Sequence, residues 1–121
     1  MIKLMPIVLG IMLGYCSSAA LASPLVEQET EHLLNYIENS GCLFIRNGSE
    51  YSSAEARSHI QRKYKHVKKK VDSTEQVIKY AATESSWSGK PYSIKCPEQD
   101  AVPSADWLSS ELINYRNKHS Q

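Results

Sequence analysis

The sequence predicts an α+β domain that is mostly helical, with about four helices and a short two-stranded ribbon. Three observations support this class. Apolar residues recur at helical spacing in four separate segments of the chain. Two short runs, one apolar and one alternating, have the length and pattern of strands. Each run carries a cysteine, and one disulfide between them would hold the two strands together.

The first 22 residues have the pattern of a secretory signal peptide. Lys3 supplies the positive charge, an apolar stretch follows, and Ala20-Leu21-Ala22 matches the small-residue cleavage pattern. We expect cleavage after Ala22 and a single globular domain over residues 23–121. The apolar stretch is shorter than the roughly 20 residues that span a bilayer, so we expect no transmembrane anchor after cleavage. Lipidation at Cys16 is an alternative, although the bulky Tyr15 precedes this cysteine.

Charge and cysteine content limit the classes of function. The chain has 14 basic and 13 acidic side chains, and removal of Lys3 would leave 13 of each. This balance excludes a strongly basic nucleic-acid binder. Without Cys16, the exported chain keeps Cys42 and Cys96, and an even pair in an oxidising compartment predicts one disulfide. Because it would close a span of 54 residues, it should stabilise the fold by about 4 kcal/mol.

The first helix and the first strand have clear local signals. Ser23-Pro24 is an N-cap followed by proline at the first helical position. We expect the helix to end at Ser40-Gly41, where glycine supplies a left-handed cap. The apolar run 42–46 predicts a brief buried strand, and Asn47-Gly48 predicts a turn after it.

The second and third helices are separated by polar residues. Ser52 and Glu55 form a capping box at the start of the second helix. Its apolar stripe is Ala56, Ile60, Tyr64, Val67 and Val71. Asp72 and Ser73 interrupt this stripe, and Ser73 with Gln76 has the spacing of a second capping box. The stripe of the third helix is Thr74, Val77, Ile78, Ala81 and Ala82.

The C-terminal part completes the predicted order of helix, strand, two helices, strand and helix. Residues 91–96 alternate like a strand that starts at a proline, and residues 97–103 are expected to form a linker. Ser104 is the expected N-cap of a final helix, which turns Leu108, Leu112 and Tyr115 inward.

A charged flank on the second helix is the predicted interaction face. Seven basic residues lie within 14 positions of the chain, from Arg57 to Lys70. Four side chains are spaced four, three and four residues apart, so they share one flank of a helix: His59, Lys63, His66 and Lys70. Such a flank suits an anionic envelope polymer or an acidic envelope protein as partner. A solvated flank whose lysine stems cover apolar neighbours is the alternative.

A second set of polar residues surrounds the end of the first strand. Arg46 could extend toward a carboxylate on a neighbouring helix, such as Glu55 or Glu75, where a structural ion pair is the simpler interpretation. Glu55 and His59 could also serve as catalytic groups of a small hydrolase, but no nucleophile is evident. The sequence contains no motif for a cofactor or a metal, so none is expected.

Four groups of residues fit one family pattern in order along the chain. They are residues 40–48, residues 55–60 apart from Arg57, residues 73–78 and residues 88–92. In these positions the chain resembles the YfeK-like family of uncharacterised small exported proteins of Gram-negative bacteria. The resemblance covers residues 39–96 and, less closely, the final helix. It implies a periplasmic location and one globular domain, and it implies no activity. Among its matching residues, Arg46, His59 and Glu75 have no evident turn or cap role.

These observations favour a periplasmic, non-catalytic module that binds an envelope polymer or an envelope protein. One alternative is an inhibitor of a secreted hydrolase such as lysozyme, because small disulfide-bonded exported domains suit that role. The other alternative is the small hydrolase that would use Glu55 and His59.

Overall fold

A computed structural model of the chain describes residues 23–120. The predicted signal peptide, residues 1–22, lies outside the described residues and stays a prediction. Within the described part of the chain, no helix is both long and apolar enough to cross a membrane.

The described residues form four α-helices and four short strands. In chain order they are α1 (Pro24–Glu38), β1 (Leu43–Arg46), β2 (Ser49–Tyr51), α2 (Ser53–Val67), a 3₁₀ segment (Lys68–Lys70), α3 (Thr74–Ala81), β3 (Ser93–Lys95), β4 (Val102–Pro103) and α4 (Ser104–His119). The predicted α+β class, mostly α with four helices, is confirmed.

The strands form one antiparallel sheet in the order β2-β1-β3-β4. The predicted ribbon corresponds to the central pair, β1 and β3, in which Phe44 lies opposite Ile94. Two edge strands extend it. Asn47 and Gly48 have φ angles of 51° and 82°, and this left-handed pair makes the tight turn that returns the chain as β2. Residues 97–103, expected as a linker, end in the two residues of β4.

The core lies between the helices and the inner face of the sheet. Phe44 and Ile94 face inward, while the α1 residues Leu33, Leu34 and Ile37 are buried opposite them in the same cluster. The predicted stripe of α3 is fully buried: Thr74, Val77, Ile78, Ala81 and Ala82. The α2 stripe is buried at Ala56, Ile60 and Val71 and half-buried at Tyr64 and Val67, which pack against the same core.

Helix starts follow the predicted caps with one exception. Ser23 caps α1, Ser52 and Glu55 form the capping box of α2, and Ser73 caps α3. The exception is Ser104, which was expected as the N-cap of α4. Pro103 occupies that position, and Ser104 is the first helical residue. Because Ser104 is fully buried, its hydroxyl donates to the Ala82 carbonyl at 2.5 Å instead of capping the helix.

The predicted disulfide between Cys42 and Cys96 is present. Cys42 precedes β1 and Cys96 follows β3, so the bond closes one end of the central strand pair, with the Cα atoms 4.1 Å apart. Structural disulfides are typical of proteins in oxidising compartments, which is consistent with export.

Candidate functional site

Arg46 ends β1 with its side chain on the inner face of the sheet. Side chains alternate between the two faces of a strand, so Arg46 shares the face of Phe44, which is buried. Tyr51 of β2 pairs opposite Phe44 and therefore lies on this face as well. The turn at Asn47 and Gly48 connects these two strands next to Arg46. The fold thus directs a guanidinium group toward the helix that covers the sheet.

Two side chains of α2 meet Arg46 and its neighbours. His59 and Lys63 lie one turn apart, beside the buried Ala56 and Ile60. Arg46 Nη1 is 3.0 Å from His59 Nδ1 and 3.2 Å from His59 Nε2. The guanidinium group has no acceptor, so the imidazole ring accepts this hydrogen bond and is neutral.

Two tyrosines complete a continuous polar network. Arg46 Nη2 donates to the Tyr51 hydroxyl at 3.3 Å, and the guanidinium carbon lies 5.0 Å from the centre of the same ring. The Tyr92 hydroxyl is 2.9 Å from His59 Nε2 and accepts from Lys63 Nζ at 3.1 Å. Lys63 Nζ also donates to the Glu84 carbonyl at 2.9 Å. The network therefore fixes His59 between two cations.

This network borders a cleft of about 370 Å³ between α2 and the β1–β2 half of the sheet. Its volume is at the lower end of the range for small-molecule sites. The lining residues are Phe44, Ile45, Arg46, Tyr51, Ala54, Glu55, Ala56, Ser58, His59, Ile60, Arg62 and Tyr92. Lys63 is not among them, but it hydrogen-bonds to the hydroxyl of the lining residue Tyr92.

Burial is the main cause of the pKa shifts in this electropositive cluster. Burial lowers the pKa of His59 to about 4, and the charges of Arg46 and Lys63 act in the same direction. Burial also lowers the pKa of Lys63, again assisted by Arg46. The pKa of the Tyr92 hydroxyl is raised by burial, so this group stays protonated at neutral pH and can donate a hydrogen bond.

Arg46 has unused capacity for hydrogen bonds. Over residues 23–120, no carboxylate forms an ion pair with either Arg46 or Lys63. The buried Nε atom of Arg46 likewise has no acceptor among the described side chains. A buried donor without a partner is costly. The remaining N–H groups of the two terminal nitrogens of Arg46 are the donors available to an anion in the cleft.

The predicted polar cluster of Arg46, Glu55 and Glu75 is divided between different places. Glu55 lines the cleft, and its Oε1 atom accepts from the Ser52 backbone amide at 2.9 Å. That contact is the main cause of the lowered pKa of Glu55. Glu75 is elsewhere, in an ion pair with Arg116 on α4 at 2.6 Å. Arg46 contacts His59 and Tyr51 rather than a carboxylate.

The predicted flank of α2 is also divided. The structure brings His59 and Lys63 into the polar network. His66 is exposed and does not line the cleft. Lys70 is exposed in the 3₁₀ segment, beyond the end of α2 at Val67, so the spacing of the four residues does not continue along one α-helix.

Tyr51 and Tyr92 are the site residues that sequence reasoning did not place. A signal for Tyr92 was available in the strand period. Tyr92 lies two residues before the buried Ile94, so the period of a strand places both side chains on the same face of the sheet. In the described part of the chain, no group of three or more acidic, histidine or cysteine side chains is arranged to hold a metal ion.

Comparison with known proteins gives a family. Residues 24–116 match the family of unknown function DUF5329. The chain is also 41% identical over 49 residues to the uncharacterized protein YfeK of Salmonella typhimurium. That match covers 40% of the chain and spans 41% of the length of the relative. No solved structure matches the chain. The resemblance to YfeK-like proteins is confirmed, and the chain belongs to the family of unknown function DUF5329.

Proposed function

We propose that the protein is an exported, non-catalytic binding module whose cleft holds an anionic group of an envelope protein or an envelope polymer. One observation carries the proposal. The guanidinium group of Arg46 lines a cleft, is held by His59 and Tyr51, and forms no ion pair with a carboxylate over residues 23–120. A fixed guanidinium of this kind suits a carboxylate or a phosphate group.

Charge at the cleft supports an anionic ligand. Arg62 lines the cleft, and Lys63 donates to the hydroxyl of Tyr92, another lining residue. Because the cleft is partly enclosed by protein, attraction between these cations and an anion is stronger than at an open surface. The ligand would replace water at groups that the fold already holds in position, so little ordering is needed on binding.

The same groups are poorly suited to acid–base catalysis. A general base works best when its pKa is near the working pH, whereas the pKa of His59 is about 4. The Glu55 carboxylate is committed to the helix cap, and its lowered pKa keeps it ionised. These properties favour binding over a hydrolase that uses Glu55 and His59.

The test is retention on envelope material. Oxidised protein spanning residues 23–121 would be incubated with isolated sacculi and with detergent-solubilised envelope extract, at low and moderate salt. We expect salt-sensitive retention that Arg46→Gln reduces at least tenfold. Lys69→Gln is the matched control, because it removes one exposed positive charge away from the cleft.

Two outcomes would contradict this assignment. Equal retention of the Arg46→Gln and Lys69→Gln variants would show that the cleft is not the binding site. Loss of retention in Lys70→Gln alone would move the site to the exposed flank of α2.

An inhibitor of a secreted hydrolase is a special case of the proposal, in which the anion belongs to the enzyme. Slower cell-wall lysis by lysozyme, dependent on Arg46, would identify that case.

A further inference from the structure

The cleft has an apolar part directly beside its cationic part. Along β1, Phe44 precedes Arg46 by two residues, which is about 7 Å of strand. Along α2, Ala56 precedes His59 by one turn. Phe44, Ala56 and Ile60 are buried beneath this part of the cleft, and Ala54 lies on its exposed rim. A ligand that reaches Arg46 therefore also contacts an apolar wall.

The charge distribution favours a single negative charge on the ligand. Arg46 is the fixed cation of the cleft, while Arg62 is exposed on its rim. The ionised Glu55 lines the same cleft and would repel a second negative charge. A carboxylate is planar and carries one charge, so it matches a guanidinium fork better here than a phosphate dianion would.

The rim can accommodate a peptide backbone. Ser58 and Glu55 lie on the α2 side of the cleft, and the hydroxyl oxygen of Ser58 and Oε2 of Glu55 are acceptors that a peptide N–H could reach. A volume of about 370 Å³ suits the end of a chain rather than a folded surface.

From this arrangement we propose that the cleft binds the C-terminus of a partner polypeptide, with its terminal carboxylate on Arg46 and an aliphatic last side chain against Phe44 and Ala56. This inference rests on the proposed function and names the ligand of the same site. The Tyr51 and Tyr92 hydroxyls would donate to the carboxylate, and the apolar wall would select the last residue.

Titration with small probes tests the inference by nuclear magnetic resonance on oxidised, ¹⁵N-labelled protein. The probes are N-acetylglycine, N-acetylalanine, N-acetylleucine and N-acetylleucine amide. We expect Kd to fall about tenfold from the glycine probe to the leucine probe, because the larger side chain is buried. The amide has the same side chain without the charge and should bind at least tenfold more weakly than the acid.

Two variants separate the two parts of the cleft. Arg46→Lys keeps the charge but loses the fork, and it should weaken both the glycine and leucine probes. Ala54→Leu fills the exposed rim and should weaken only the leucine probe. Unchanged amide dispersion in the spectrum of each variant shows that it is folded, and Lys69→Gln should bind every probe like the wild type.

The outcomes distinguish this inference from the proposed function. Equal affinity for all the acids, lost in Arg46→Gln, would overturn the peptide C-terminus while leaving anion binding intact. Tighter binding of octanoate than of N-acetylleucine would replace the peptide with an acyl chain. Tighter binding of inorganic phosphate than of any acid would overturn the carboxylate. Absence of Arg46-dependent binding of every anion tested would overturn both proposals.

Discussion

His59 shows how a single residue acquires its properties from its surroundings. Its ring accepts from Arg46 and lies 2.9 Å from the Tyr92 hydroxyl. Burial and neighbouring cations lower its pKa from 6.5 to about 4, so protonation is less favourable in the folded state than in the unfolded chain. The stability that neutral His59 provides is therefore fully present above pH 6.5 and is lost as the pH falls toward 4.

The corresponding prediction concerns stability between pH 7 and pH 5. A full shift of this size corresponds to roughly 3 kcal/mol, and screening of a half-exposed ring reduces it. We expect the free energy of unfolding to decrease by about 1 kcal/mol over this range, measured by urea denaturation. In His59→Gln, which cannot titrate, the decrease should be smaller. An identical decrease in both proteins would assign the effect to other groups.

At the scale of elements, an ion-pair cluster holds α1, α3 and α4 together. Glu29 of α1 is buried, and both its oxygens accept from Arg116 of α4, at 2.8 and 2.9 Å. Thr74 at the start of α3 donates to the same carboxylate at 2.6 Å. Glu75 adds a second, exposed carboxylate to Arg116. The hydrogen bonds from Arg116 are the main cause of the lowered pKa of both Glu29 and Glu75.

The two carboxylates of this cluster should differ in their contribution to stability. Glu29→Gln leaves a buried amide in a site built for a charge, and we expect a loss of about 2 kcal/mol, because Arg116 remains partly solvated. Glu75→Gln, at an exposed position, should cost less than about 1 kcal/mol. Urea denaturation at pH 7 measures both. Equal losses would show that the burial of Glu29 does not determine the contribution of this ion pair.

For the whole molecule, the disulfide connects parts that are far apart in the sequence. It closes a span of 54 residues that contains β1, β2, α2, α3 and β3. It also fixes the central strand pair from which Arg46 and Tyr92 reach the cleft. The bond thus links the stability of the sheet to the geometry of the proposed binding site.

Reduction of this bond should destabilise the whole domain. In the chain-entropy description the loss is about 4 kcal/mol for a loop of this length, which is a large part of the stability of a small domain. Urea denaturation with and without a reductant measures it. The Cys42→Ala/Cys96→Ala double variant should behave like the reduced protein and should not respond to the reductant. Similar midpoints for oxidised and reduced protein would contradict this expectation.

The helices were predictable because their signals are local. Ser52 with Glu55 satisfies the free amides of one helix turn, and this requires nothing from the rest of the chain. The edge strand β2 was not predicted, because three residues without an apolar run acquire strand geometry only by pairing with β1. Ser104 was predicted as a cap from local pattern, yet burial against Ala82 gave its hydroxyl another partner.

The sequence by itself determined the helices, the disulfide pair and the choice of Arg46 and His59 as residues to examine. It did not determine that these two would meet each other, or that Tyr92, 33 residues from His59, would join them. Only the tertiary structure decided this, because hydrogen bonding, burial and pKa depend on which distant side chains surround a group. Glu75 demonstrates the same point in reverse. Like Arg46 and His59, it has no evident turn or cap role in the sequence. Packing of α3 against α4 instead places its carboxylate in an ion pair with Arg116.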